Sequence, residues 1–299
     1  MKRVLLTGGS GFIGRNIINE LKKTCDLYAP SRGELNLLDE RAVLDYIVDN
    51  KIDIVIHSAN PNPVKNSLDK SERFFEDSIR VFLNLYKAED HYEMMYTLGS
   101  GAEYDKSKDI DMISEDEYGR SIPYDTYGLI KYTIHQMIEK SEKQCNLRLF
   151  AVFGPTDHES KFITHVIRSI LDGNDITIRQ DCLFDYMQVM DLVGILKYFI
   201  YNKPKYNAYN ISTGKTYLLS EIAEMVKQRM MEKGLINEKL YAKGEPEIIL
   251  LKSGFNNKYT ADNSRLINEI GNYSFTDIKK GIDIQIAYEG EAYNAEKSC

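Results

Sequence analysis

With 299 residues, 43% of them hydrophobic and 28% charged, the chain has the balance of an ordinary soluble protein, long enough for one large α/β domain or a cofactor domain with a smaller companion. Its net charge of −7 argues against nucleic-acid or anionic-membrane partners, while leaving room for a local basic pocket around a phosphate ester. Cys25, Cys145, Cys182 and Cys299 lie far apart with no CxxC pair and no Cys/His cluster, so no metal site is expected and the thiols read as free in a reducing compartment. No apolar stretch approaches the ~20 residues of a membrane span, and the opening run is too short for a signal peptide, so the expected location is the cytoplasm.

The first element, Val4–Thr7, is an apolar run ending on glycines, and Phe12, Ile13, Ile17, Ile18 and Leu21 then recur at helical spacing. Between them stands Thr7-Gly8-Gly9-Ser10-Gly11-Phe12-Ile13-Gly14, a TGxxGxxG spacing. The first glycine permits a tight turn, the second lets backbone approach a pyrophosphate, and the third lets the helix pack on the sheet. The helix N-terminus then offers N–H groups and a positive dipole end to phosphate. In this strand–turn–helix context the loop predicts a dinucleotide site built on Gly8, Gly11, Phe12, Ile13 and Gly14. The next strand, Leu27–Ala29, runs into Pro30-Ser31-Arg32 with no acid at its end. An acid there would hold a ribose 2′-hydroxyl, whereas Arg32 would attract a 2′-phosphate, so NADP(H) is favoured and NAD(H) is the alternative.

Further along, Ala42, Val43, Tyr46 and Ile47 mark a helix over 40–49 behind Asp39 as N-cap. Asp53–Ser58 reads as a buried strand, 70–89 as a long helix, Met94–Leu98 as a strand, and Leu147–Phe153 as a later one. The polar stretch Asp105–Asp125 reads as a long surface loop. Beyond residue 155 come helical patterns at 160–171, 190–202 and 218–232, with short strands at Ile176–Ile178 and Tyr209–Ile211. The alternation predicts an α/β fold: a Rossmann-type parallel sheet with helices on both faces and a smaller C-terminal substrate lobe. Residues 1–155 would form the dinucleotide-binding domain and 156–299 mainly the substrate-binding lobe, with late strands from about 176–212 available to the sheet.

Tyr127 and Lys131 stand at i and i+4, on one face of a helix buried through Ile130, Ile134, Met137 and Ile138. A phenol is a poor acid–base near neutrality, and a neighbouring ammonium is expected to lower its pKa. A proton could then pass between Tyr127 and a sugar oxygen as hydride moves to or from a nicotinamide. Ser100, after the strand that begins at Met94, fits as the second group on that oxygen. His57, at a strand end beside the glycine loop, is expected to pack near the cofactor.

With these residues in hand, the chain resembles the extended short-chain dehydrogenases/reductases, the NAD-dependent epimerase/dehydratase family of nucleotide-sugar enzymes. The resemblance rests on the glycine loop, Asp53–Ala59, Ser100, Tyr127/Lys131, Arg148–Pro155 and Asp185–Leu192. Within it, Glu34–Asp39 with Arg41-Ala42-Val43, Gly99-Ser100, and His165 in His165-Val166-Ile167-Arg168 are most similar to the GDP-fucose synthase type of 4-ketoreductase. The resemblance implies Asn36 and Leu37 at the cofactor, a contact from Lys131 to it, substrate contacts from Ser100, Tyr127, His165 and Arg179, a nucleoside-diphosphate sugar as substrate, and a homodimer. The dimer seam would run through the helices near 70–89 and 126–143, where Phe74, Phe75, Val81, Phe82 and Leu85 offer apolar surface.

Departures narrow the reaction. The cysteine with which the GDP-fucose synthase type inverts ring carbons is replaced by Ala102, and the Asp-Glu pair of the dehydratases by Gly101 and Ala102. A usual asparagine is Ala151 and a usual arginine is Phe184, which leaves Arg179 or Lys252 to meet the substrate diphosphate. Three readings follow: an NADPH-dependent reductase of a nucleotide-linked 4-keto-6-deoxysugar, an epimerase or dehydrogenase with tightly bound NAD, and a non-catalytic cofactor-binding scaffold.

Overall fold

The computed structural model describes residues 1–61, 73–236, 241 and 244–298. Six parallel strands form the main sheet, in the spatial order Ala208–Ile211, Gln144–Leu149, Met94–Ser100, Ile54–His57, Arg3–Thr7, Asp26–Tyr28. Its three central strands are buried along their whole length, as helices on both faces require. The period of two explains which side chain goes where. Val4, Leu6, Ile54, Ile56, Met94, Tyr96 and Leu98 face the layer of helices Phe12–Leu21 and Asp191–Tyr201. Leu5, Val55 and Met95 point the other way, into the core made with helices Glu40–Asp49, Phe74–Tyr86 and Thr126–Ile138. The 40–49 helix starts as expected, with the Asp39 carboxylate accepting the Ala42 N–H at 3.1 Å.

A separate apolar cluster unites helices Phe162–Leu171, Leu219–Glu232 and Ile278–Lys297 with the strand Ile176–Asp181. Of the late strands, only Ala208–Ile211 joins the main sheet. Ile176–Asp181 pairs instead with Ile248–Phe255, away from it.

Three expectations change. The stretch Leu147–Phe153 is two strands: Gln144–Leu149 stays in the main sheet, and Ala151–Phe153 pairs with Tyr186–Gln188. Phe150, at the break, sends its ring between Tyr104 and Tyr259. The stretch Asp105–Asp125 is not only a surface loop. Ile110–Ile113 pairs with Tyr259–Ala261, and Ile110 and Ile113 are buried with them. Its polar composition hid a strand whose partner is remote in sequence. The long helix runs Phe74–Tyr86, and residues 70–72 of the expected span lie outside the described residues. On it Phe74, Phe82 and Leu85 are buried in the chain's own core, Val81 is buried beside the cavity, and Phe75 is exposed. Among the described residues, no helix is long and apolar enough to cross a membrane, no group of side chains is arranged to hold a metal ion, and Cys25, Cys145 and Cys182 are free thiols.

Candidate active site

A cavity of about 1770 Å³ opens over the C-terminal ends of the strands, where parallel α/β sheets leave a crevice. One wall is the loop Thr7–Ile13. Gly8 has φ +75, and a Cβ there would fall 2.7 Å from the Ala59 nitrogen, so the turn requires glycine. Gly11 is the N-cap of helix Phe12–Leu21, and no side chain caps that end. Its first N–H groups therefore face the cavity as an anion site. Gly14 packs beneath the loop, and the Asn16 amide ties the helix to the Pro155 carbonyl at 2.7 Å and the Thr156 hydroxyl at 3.2 Å. Arg32, Asn36 and Leu37 continue this wall. Arg32 is exposed and forms no ion pair among the described residues, while the nearby Glu34 carboxylate turns back to accept the Ser31 N–H at 2.7 Å.

Behind the loop, the Thr7 hydroxyl accepts the Ala59 N–H at 3.2 Å and shares a hydrogen bond of 2.9 Å with His57 Nδ1. Burial, and secondarily Lys131, push the His57 imidazole down to about 3, so it is neutral and packs beside the loop.

The opposite side holds the hydroxyl-bearing groups. Ser100 ends its strand, and its Oγ accepts the Ala102 N–H at 3.2 Å. Helix Thr126–Ile138 begins with Asp125 capping the Gly128 N–H at 3.0 Å, which sets Tyr127 in its first turn within hydrogen-bonding reach of Ser100. Lys131, one turn later, donates to the Leu98 carbonyl at 3.0 Å and lies 5.9 Å from the centre of the Tyr127 ring. The structure thus brings Ser100, Tyr127, Lys131 and the glycine loop into one cavity. The expected effect of Lys131 on the phenol is corrected. Burial pushes Tyr127 up to about 12, the Ser100 hydrogen bond pulls it down, and Glu103 and Asp125 push it up further. Burial lowers Lys131 itself, against the pull of Glu103. Tyr127 is therefore a phenol that holds its proton.

His165 is not brought to the cavity. It is exposed on helix Phe162–Leu171, whose first turn contributes Phe162 and Ile163, behind Lys161, to the lining. Arg179 and Lys252 do reach the cavity from neighbouring paired strands, both without an ion pair among the described residues. Ala102 is fully buried, and Ala151 and Phe184 line the wall as apolar surface.

Two lining residues had not been read from the sequence. Tyr259 places its hydroxyl beside Ser100 and packs its ring on Phe150 at 5.1 Å and Phe184 at 5.5 Å. Asp157, pushed up to about 7 by burial against the His158 N–H and Lys161, follows the Gly154-Pro155 turn. Position just after that turn was a usable signal for Asp157, whereas nothing local marks Tyr259.

The family model described as NAD dependent epimerase/dehydratase family matches residues 4–212. GDP-L-colitose synthase of Yersinia pseudotuberculosis is 25% identical over an alignment of 314 residues, which takes in 96% of this chain and 97% of that protein. The structure of a Thermus thermophilus UDP-glucose 4-epimerase in complex with NAD superposes with a TM-score of 0.77 at 20% identity, covering 97% of this chain and 99% of that one. A gdp-l-fucose synthetase from Naegleria fowleri bound to NADP gives 0.79 at 15% identity, covering 98% and 95%. The two structures share the fold.

Proposed function

The chain belongs to the NAD dependent epimerase/dehydratase family, and from that premise we propose that it is an NADPH-dependent reductase of a nucleotide-activated 4-keto-6-deoxysugar. One observation carries the reading: Ser100, Tyr127 and Lys131 converge in the cavity that the glycine loop lines. Tyr127 can give a proton to the oxygen of a ketone as it is reduced, and Ser100 can hold that oxygen. Full-length similarity to a GDP-L-colitose synthase supports a nucleotide-sugar substrate.

The residues fit a nicotinamide dinucleotide. The uncapped N-terminus at Gly11 and Phe12 would hold the diphosphate, Arg32 the 2′-phosphate, Asn36 and Leu37 the adenosine side, and Lys131 the nicotinamide ribose. A nicotinamide bound there would supply hydride for the carbonyl carbon. Ser100 and Tyr127 hold the carbonyl oxygen, stabilise charge as it develops, and Tyr127 delivers its proton to that oxygen. Arg179 and Lys252, both on the cavity wall, would meet the substrate diphosphate. The second reading, an epimerase retaining NAD, draws on the fold shared with the NAD-bound UDP-glucose 4-epimerase. An idle scaffold leaves the convergence of Ser100, Tyr127 and Lys131 without a purpose.

The test is turnover of nucleotide-linked 4-keto-6-deoxysugars with NADPH, paired with incubation in deuterated water without it. Ala102 has no proton to exchange and His165 lies outside the cavity. On the plain-reductase reading the sugar should gain no deuterium next to the ketone; enzyme-dependent uptake at carbon 3 or carbon 5 would end that reading and point to Asp157, His158 or Cys182, which line the cavity. For the cofactor, NADPH should bind more tightly than NADH, and Arg32→Ala should lose roughly tenfold in NADPH affinity with NADH unchanged. Equal or tighter NADH binding by the parent protein would remove the basis for NADP.

A further inference from the structure

Directly behind Ser100 lies a charged pair shut away from solvent. Glu103 and Arg148 are both fully buried, and the Arg148 Nε donates to Glu103 Oε2 at 2.7 Å. The other carboxylate oxygen, Oε1, accepts the backbone N–H of Ser100 at 3.1 Å, and the Asn146 amide donates to both oxygens at 3.1 and 2.9 Å. Arg148 is fixed in turn: its Nη1 donates to the Tyr104 hydroxyl at 3.0 Å, and its guanidinium lies 5.1 Å from the Tyr104 ring centre and 5.0 Å from that of Tyr118. Tyr104 passes the chain of contacts on to Asn210 Oδ1 at 2.8 Å.

Packing alone gives no reason for this arrangement. Removing two charges from water is costly, and well-packed apolar side chains of similar volume often stabilise a core as well or better. Yet one carboxylate oxygen accepts the Ser100 N–H and so closes a capping box around the four-residue turn Gly101–Tyr104. That turn carries the Ala102 N–H that engages Ser100 Oγ. The serine is thus gripped by its backbone and by its hydroxyl through one short segment.

We propose that the buried Glu103–Arg148 pair is a positioning device for the reaction: Arg148 fixes the Glu103 carboxylate, which holds the Ser100 turn and so aims the Ser100 hydroxyl into the cavity. The same carboxylate opposes the lowering of Lys131 and helps Tyr127 keep its proton, which suits a site that donates one. Neither residue reaches the cavity lining, so both act through Ser100.

The inference rests on the reductase reading, and its test separates the two. Glu103→Met/Arg148→Met removes both charges at once and leaves no lone ion inside, but it strips the buried Ser100 N–H and Asn146 amide of their acceptor, so it should still melt cooperatively, at a lower temperature than the parent. Its kcat should fall roughly 10- to 100-fold at nearly constant KM, the effect of misplacing a reacting group. Glu103→Gln/Arg148→Met restores a neutral acceptor for the Ser100 N–H and should recover kcat to within about threefold of the parent. A Met/Met variant with parental kcat, or a Gln/Met variant as impaired as Met/Met, overturns the proposal. If the parent shows no turnover on 4-keto sugars, the reductase reading fails by itself. Crystal structures then judge the pair: Ser100 Oγ should move by more than about 0.5 Å in whichever double variant loses the acceptor and stay in place in the one that keeps it. An unmoved Ser100 in Met/Met overturns the proposal.

Discussion

Tyr127→Phe should lower kcat for ketone reduction roughly 10²–10⁴-fold, the usual size of an acid–base contribution, with substrate affinity little changed. The substitution removes one oxygen from a ring that packs with its helix against the core, so the fold should stand. What disappears is the proton given to the developing alkoxide, an interaction stronger in the transition state than with bound ketone, and such losses fall on kcat. The direction of the Tyr127 shift adds a second readout. A phenol pushed up to about 12 stays protonated through the ordinary working range. The parental reduction rate should therefore stay level to about pH 11, whereas a phenol at its free value near 10 would have lost half its proton by about pH 10. Measurement of kcat and KM for parent and variant across pH decides the matter. A variant within tenfold of the parent would take the proton-donor role away from Tyr127.

How much of this was legible depended on whether the signal was local. The Thr7–Gly14 turn carries its own reasons: glycines at set spacing between a strand and a helix, with the neighbouring elements in the same dozen residues. The alternation of Val4, Leu5 and Leu6, and of Ile54, Val55 and Ile56, is enough to assign opposite faces of the sheet. Tyr127 and Lys131 come together because helical spacing alone joins them. What was hidden depends on pairing between distant segments. Tyr259 enters the cavity only because its strand lies beside Ile110–Ile113 and Leu183–Phe184. The break at Phe150 follows from two sheets competing for one run of residues. His165 shows the converse: a matching motif fixed its helix but not which face of that helix meets the cavity. The raised pKa of Tyr127 was equally out of reach, because it comes from burial and from Glu103 and Asp125, whereas sequence spacing pointed to Lys131.

The glycine loop gives the other large expected effect. A Cβ on Gly14 would fall 2.5 Å from the Gly8 carbonyl oxygen and 2.6 Å from the Gly9 Cα. Both are backbone atoms of the very turn that faces the cavity, so no side-chain rotation can relieve the contact, and the loop itself must move. Gly14→Ala should therefore lose at least roughly 100-fold in dinucleotide affinity, since a displacement near 1 Å in a positioned site already costs that much. Overpacking should also lower stability by about 1–3 kcal/mol. Gly33→Ala supplies the comparison in the next turn of chain. Its added Cβ meets nothing closer than Ser31 Oγ at 3.9 Å, so affinity and melting temperature should stay near the parent's. Fluorescence titration with NADPH and NADH, alongside thermal melts, distinguishes a displaced loop from a failed fold: Gly14→Ala should still melt cooperatively while binding neither dinucleotide well. If Gly14→Ala binds within about threefold of the parent, the loop tolerates the shift. The phosphate-holding role assigned to the N-terminus at Gly11 would then have to pass to other cavity residues, with Arg32 and Lys131 the first to test.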